Sequence, residues 1–157
     1  MQFESEAENA DIFSGCGNGT LDAAIQHDPG MYGENWDESK GDRWLKVCIN
    51  DKDLHYIRLD IYHFAIGKPA ELEGDFIKRW TDDEVQKITA EFPLLNRIEW
   101  MYADALYNAV EVSQLREECI KLKSFTTNQS ADLGLRKLIY CCDEALKVGL
   151  SLGLWCD

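Results

Sequence analysis

Arg43-Trp44-Leu45-Lys46-Val47-Cys48-Ile49-Asn50-Asp51-Lys52-Asp53-Leu54-His55-Tyr56-Ile57-Arg58-Leu59-Asp60-Ile61 is the stretch on which the fold turns. Leu45, Val47 and Ile49 alternate with Trp44, Lys46 and Cys48, the period of a strand buried on one face. After Asn50-Asp51-Lys52-Asp53 the alternation resumes with Ile57, Leu59 and Ile61. Two paired strands must turn both apolar rows to one core, because a one-residue slip reverses a face. Opposing 47 with 57 and 45 with 59 meets that condition and leaves an odd-length loop at 51–53 or 50–54. The reading is a β-hairpin over 43–66, with Trp44, Tyr56 and Tyr62 on the face opposite the aliphatic row. An isolated hairpin is marginal in water, so a third strand is expected from the N-terminal segment or the tail.

Beyond residue 69 the apolar period becomes helical. Thr81-Asp82-Asp83-Glu84 has the form of a capping box, and its acidic first turn suits the helix dipole. That helix is expected to end near Phe92-Pro93. Leu94, Ile98, Met101, Ala105, Asn108, Val112, Leu115, Cys119 and Leu122 then recur at alternating spacings of four and three. They make one apolar stripe, read as one helix or as two with a break near Val110. The polar run 124–130 can cap a last helix over about 131–148, burying Leu135, Leu138, Cys142, Ala145 and Leu146. The tail alternates Leu150, Leu152 and Leu154, as a final edge strand or a folded-over helix end. The expected class is α+β: a small antiparallel sheet against three to four helices, in one domain spanning 1–157.

Upstream, residues 1–42 differ in kind. They hold ten carboxylates and one lysine, a net charge of −9 within a chain of net −13, and six of the eleven glycines. Apart from a short helix that Thr20 could cap through His27, ended by Asp28-Pro29-Gly30, this segment reads as loop. A one-signed segment repels itself, stays solvated and attracts what is basic.

That charge sets the partners. A chain at −13 is repelled by nucleic acid and by anionic membranes. The N-terminus shows no secretory pattern, and no stretch approaches the ~20 apolar residues that span a bilayer. A cytoplasmic location is therefore expected, with Cys16, Cys48, Cys119, Cys141, Cys142 and Cys156 as reduced thiols, most of them within apolar patterns.

Catalytic motifs are weak. Gly15-Cys16-Gly17-Asn18-Gly19-Thr20 precedes the possible short helix, where a dipole would favour a thiolate. A cysteine hydrolase or transferase also needs a base, and the chain offers only His27, His55 and His63. The acidic surroundings would raise the thiol pKa, and no Gly-Lys-Ser/Thr follows to make a phosphate loop. On a strand, His55 and His63 would stand ~26 Å apart, too far to share a metal. No HExxH, ExxH, CxxC or EF-hand spacing occurs, so neither metal nor cofactor is expected. Glu117/Glu118 and Asp143/Glu144 read as solvated helix faces, since adjacent helical residues diverge by about 100°. Lys121, Lys123, Arg136 and Lys137 bracket the 124–130 loop as the only basic concentration.

The aromatics point elsewhere. Met31-Tyr32-Gly33-Glu34-Asn35-Trp36-Asp37-Glu38 interleaves aromatic side chains with carboxylates, the composition of a recognition surface in which rings anchor and charges steer. Tyr32, Glu34, Trp36, Asp37, Glu38, Asp42 and Trp44 are the expected partner-binding residues. The expectation is an acidic, non-enzymatic module that inhibits a basic partner protein, in the manner of toxin-immunity proteins or nuclease inhibitors. A Cys16-dependent enzyme and a regulatory interaction module are the alternatives.

Overall fold

Arg43–Ile49 forms a strand, as its alternation requires, but the chain then enters a helix rather than a second strand. The computed structural model describes residues 10–17, 19–26, 43–99 and 103–156. In chain order the elements are β1 (Leu21–Gln26), β2 (Arg43–Ile49), α1 (Asp51–Ile66), β3 (Leu72–Glu73), β4 (Phe76–Ile77), α2 (Asp82–Glu91), β5 (Ala105–Tyr107), α3 (Ala109–Phe125), α4 (Gln129–Val148) and β6 (Ser151–Cys156), with short 3-10 turns at Ala10–Phe13 and Leu95–Arg97. The architecture is α+β, a four-stranded antiparallel sheet in the order β2-β1-β6-β5 with the helices packed on one face.

The expected hairpin over 43–66 is thus half right. Its second half is α1, because Asn50 caps a helix: its side-chain oxygen accepts from the Asp53 amide at 2.8 Å, while Asp51 and Asp53 sit in the positive first turn. Leu54, Ile57 and Ile61, spaced by three and four, face the core, whereas Leu59 is only half-buried. Gly67, at φ 90°, ends the helix in the left-handed conformation by donating to the His63 carbonyl. Tyr62 is consequently buried and Tyr56 half-buried, and neither shares a sheet face with Trp44.

Both candidate sources of further strand are used. β1 lies inside the segment read as loop and replaces the short helix expected from Thr20, whose end at 28–30 lies outside the described residues. β6 is no edge strand but pairs with β1 and β5 on its two sides. Leu21, Ala23 and Ile25 of β1, Leu45, Val47 and Ile49 of β2, Leu152 and Leu154 of β6, and Ala105 and Tyr107 of β5 face the helices. The β1–β2 register slips between Asp22 and Ala24, where Lys46 takes a left-handed φ of 59° at the irregularity.

α2 and its Thr81–Glu84 capping box form as expected. The stripe from Leu94 to Leu122 is neither one helix nor two with a break near Val110, and its Met101 lies outside the described residues. It passes through the 3-10 turn and β5 before α3 begins behind a second capping box, Asn108 with Glu111. α4 starts where the 124–130 run was expected to cap it, with Asn128 accepting from the Ser130 and Ala131 amides. It buries Leu135, Leu138, Cys142 and Ala145, but Leu146 is exposed. α4 lies across β1, β2 and β6 and packs on α3; α1 packs on α4, and α2 on α1. Gly134 permits the α1–α4 approach, since a Cβ there would stand 2.7 Å from Ile57 Cδ1 and 3.1 Å from Asp53 Cβ.

Candidate partner-binding surface

β1 and β2 are antiparallel neighbours joined by residues 27–42, which hold five of the ten carboxylates of the acidic segment. Tyr32, Glu34, Trp36, Asp37, Glu38 and Asp42 belong to this connection and lie outside the described residues. Trp44, two residues beyond the connection, is described, and it is 55% exposed. It stands on the sheet face turned away from the helices. The registers put Trp44, Ala24, Gly153 and Leu106 in one row across all four strands. Both ends of the row are large exposed apolar side chains, and its middle is small and buried. Across that middle the Trp155 indole N–H donates to the Gln26 side-chain oxygen at 2.9 Å. A Cβ at residue 153 would stand 2.6 Å from each of those two atoms, so glycine is what lets the pair close over the sheet.

Most of the described cations are spent internally. Among the described residues, ten of the chain's sixteen lysines and arginines lie within ion-pair distance of a carboxylate. The basic concentration around 124–130 dissolves on inspection of its members. Arg136 grips Asp11 through two parallel bonds of 2.7 and 2.8 Å, which hold the Asp11 carboxyl below its ordinary pKa. Lys121 donates to the Glu91 carbonyl at 2.7 Å and lies 4.4 Å from the Phe92 ring centre, and Lys123 pairs with Asp132. Lys137 is fully buried, bonded to Asp53 at 2.6 Å and to the Cys48 carbonyl at 2.9 Å. By contrast Asp51, Glu73, Asp75 and Asp82 are exposed and outside any ion pair among the described residues.

Two of the carboxylates read as solvated faces are structural. Glu118 is buried, and one of its oxygens accepts from the Leu94 and Leu95 amides at 3.0 and 2.9 Å. Asp143 accepts from the Arg116 guanidinium at 2.5 Å.

The chain matches no protein-family model, no curated protein and no solved structure. The surface must therefore be read from its own chemistry.

Cysteine chemistry takes a different form from the expected thiols. Cys16 and Cys48 are joined in a disulfide that fastens the segment 10–17 to β2. The geometric cause is local: Ile12 buries itself, Phe13 meets the Tyr140 ring edge-on at 5.4 Å, and the Asp11–Arg136 fork lays the segment along α4. Burial pushes the Cys119 and Cys141 thiols well above their ordinary pKa and Cys142 up to about 12. None of the three is a thiolate at neutral pH.

His55 and His63 lie on α1, so their separation of eight positions spans about 12 Å rather than a strand's length. His63 packs edge-on against Phe125 and His55 against Tyr56, both at 5.2 Å. Among the described residues no group of three His, Cys, Asp or Glu side chains could hold a metal ion. A cleft of about 270 Å³ at the start of α2 is lined by Tyr62, Lys78, Trp80 and Glu84, among others. Glu84 accepts the Tyr62 hydroxyl there, which pushes the phenol up to about 12. A second cleft, of about 580 Å³, lies at the start of α4 and is mainly hydroxyl- and amide-lined. Neither cleft is lined by a histidine or a cysteine.

Proposed function

We propose that this protein is a binding module that neutralises a basic partner protein, acting as toxin-immunity proteins and nuclease inhibitors do. One observation carries the reading: ion pairs engage most of the described cations, while Asp51, Glu73, Asp75 and Asp82 stand exposed outside any ion pair with a described residue, in a chain of net −13. Such a field steers a basic partner into contact and rejects acidic ones. The 27–42 connection combines five carboxylates with Tyr32 and Trp36 in its sequence, and the exposed Trp44 follows it on β2. The cysteine-enzyme alternative draws less support, because Cys16 is bonded to Cys48.

No described helix is long and apolar enough to cross a membrane. A cytoplasmic place goes with this reading, on the condition that the Cys16–Cys48 bond is reduced there, since disulfides persist mainly in oxidising compartments.

The test is capture of the partner from the source cells, followed by titration of the purified pair. Affinity should fall steeply as salt rises, and should fall again when Glu34→Gln, Asp37→Asn and Glu38→Gln are combined. A pair indifferent to both changes removes the proposal.

A further inference from the structure

The β3–β4 hairpin is a separate two-stranded sheet that contributes no side chain to the buried core. It is nonetheless well formed. Gly74, at φ 63°, supplies the positive φ at the first central position of its two-residue turn. Its base is closed by the Lys78 amide on the Glu71 carbonyl at 2.9 Å and by the Lys78–Glu71 ion pair at 3.1 Å. An ordered element that buries almost nothing leaves its side chains for something else. Phe76 is 78% exposed and Leu72 49%.

Pairing places Phe76 directly opposite Glu73, so ring and carboxylate share one face of the hairpin, with Asp75 beside them in the turn. A ring face next to unpaired carboxylates attracts a cation twice, through the ring quadrupole and through charge. The cations at the base, Lys68, Lys78 and Arg79, line the neighbouring cleft. They favour the tip over the base as the point of contact.

We infer that the β3–β4 hairpin is a second docking element for the basic partner, with the Glu73–Phe76 pair receiving one of its lysine or arginine side chains. The inference rests on the proposed neutralisation of a basic protein and assigns it a contact remote in sequence from the 27–42 connection. It draws on the charge complementarity and the exposed ring together.

Titration of the full-length, isotope-labelled protein with nona-arginine at low salt tests it by amide shifts. Residues 73–76 should move, and Phe76→Ala and Phe76→Leu should each weaken binding roughly two- to fivefold, as loss of an exposed cation–π contact implies. Phe76→Tyr should retain affinity, and Glu73→Gln should weaken it. Because both side chains are exposed, the fold itself is unaffected by these changes. Shifts confined to 27–42 overturn the hairpin's role while leaving the proposed function standing. Absence of any low-salt binding overturns both. Equal losses for Phe76→Tyr and Phe76→Ala overturn the ring–cation contact.

Discussion

Lys137 has no solvent exposure, and its ammonium is satisfied only by Asp53 and the Cys48 carbonyl. A buried pair of this kind adds little net stability, but removing one member strands the other charge in a poor solvent. Lys137→Met should therefore cost about 3–5 kcal/mol in urea unfolding, and adding Asp53→Leu should restore a large part of the loss. If the double variant is as unstable as the sum of the singles, the pair does not carry the interaction assigned to it. In the sequence Lys137 reads as one of a basic group around a loop. Gly134, Lys137, Leu138, Cys141 and Ala145 repeat at three and four on α4, and all five are buried. Of these, only Leu138 and Ala145 are expected from the sequence to be buried, and a lysine says nothing by itself about which aspartate, 84 residues earlier, will meet it.

Elements with a local signal were legible and those without were not. The Thr81–Glu84 box, the α4 stripe and the β2 alternation each carry their own evidence, and each forms. The stretch 54–66 satisfies two periods at once, Ile57-Leu59-Ile61 for a strand and Leu54-Ile57-Ile61 for a helix. The deciding information was at its ends, in the Asn50 cap and in Gly67, not in its apolar pattern. Asn50→Ala should lower stability by about 1 kcal/mol in thermal unfolding, and Asn50→Ser should recover most of that. No loss for alanine would mean the cap does not set the helix start. β1 was hidden for the opposite reason. Leu21, Ala23 and Ile25 face the helices while Ala24 and Gln26 are buried on the other side, so the strand shows no clean alternation of polar and apolar.

At the scale of the molecule, charge and covalent constraint work against each other. Net charge of −13 repels itself, most strongly in the N-terminal segment, yet that segment is bonded to β2 through Cys16–Cys48. The bond closes a loop of 32 residues that contains the whole 27–42 connection. Reducing it should lower unfolding stability by about 2–4 kcal/mol through the greater freedom of the unfolded chain. The same decrease should follow from Cys16→Ser with Cys48→Ser, measured without reductant. Unchanged stability in both experiments would show that the remaining contacts of residues 10–17 suffice alone. The candidate surface was legible in the sequence as composition, in its carboxylates and aromatics. Its hairpin component was not, because Phe76 looks like any core ring until the fold leaves it outside.

The central position of β6 also governs when the protein can exist. β6 follows every other described element along the chain, yet β1 and β5 are joined only through it. During synthesis, at roughly 5–20 residues per second, the sheet stays incomplete until that strand has left the ribosome. A nascent chain therefore displays its acidic segment well before it has a finished sheet, and a product shortened before Ser151 would leave facing strand edges open to other chains.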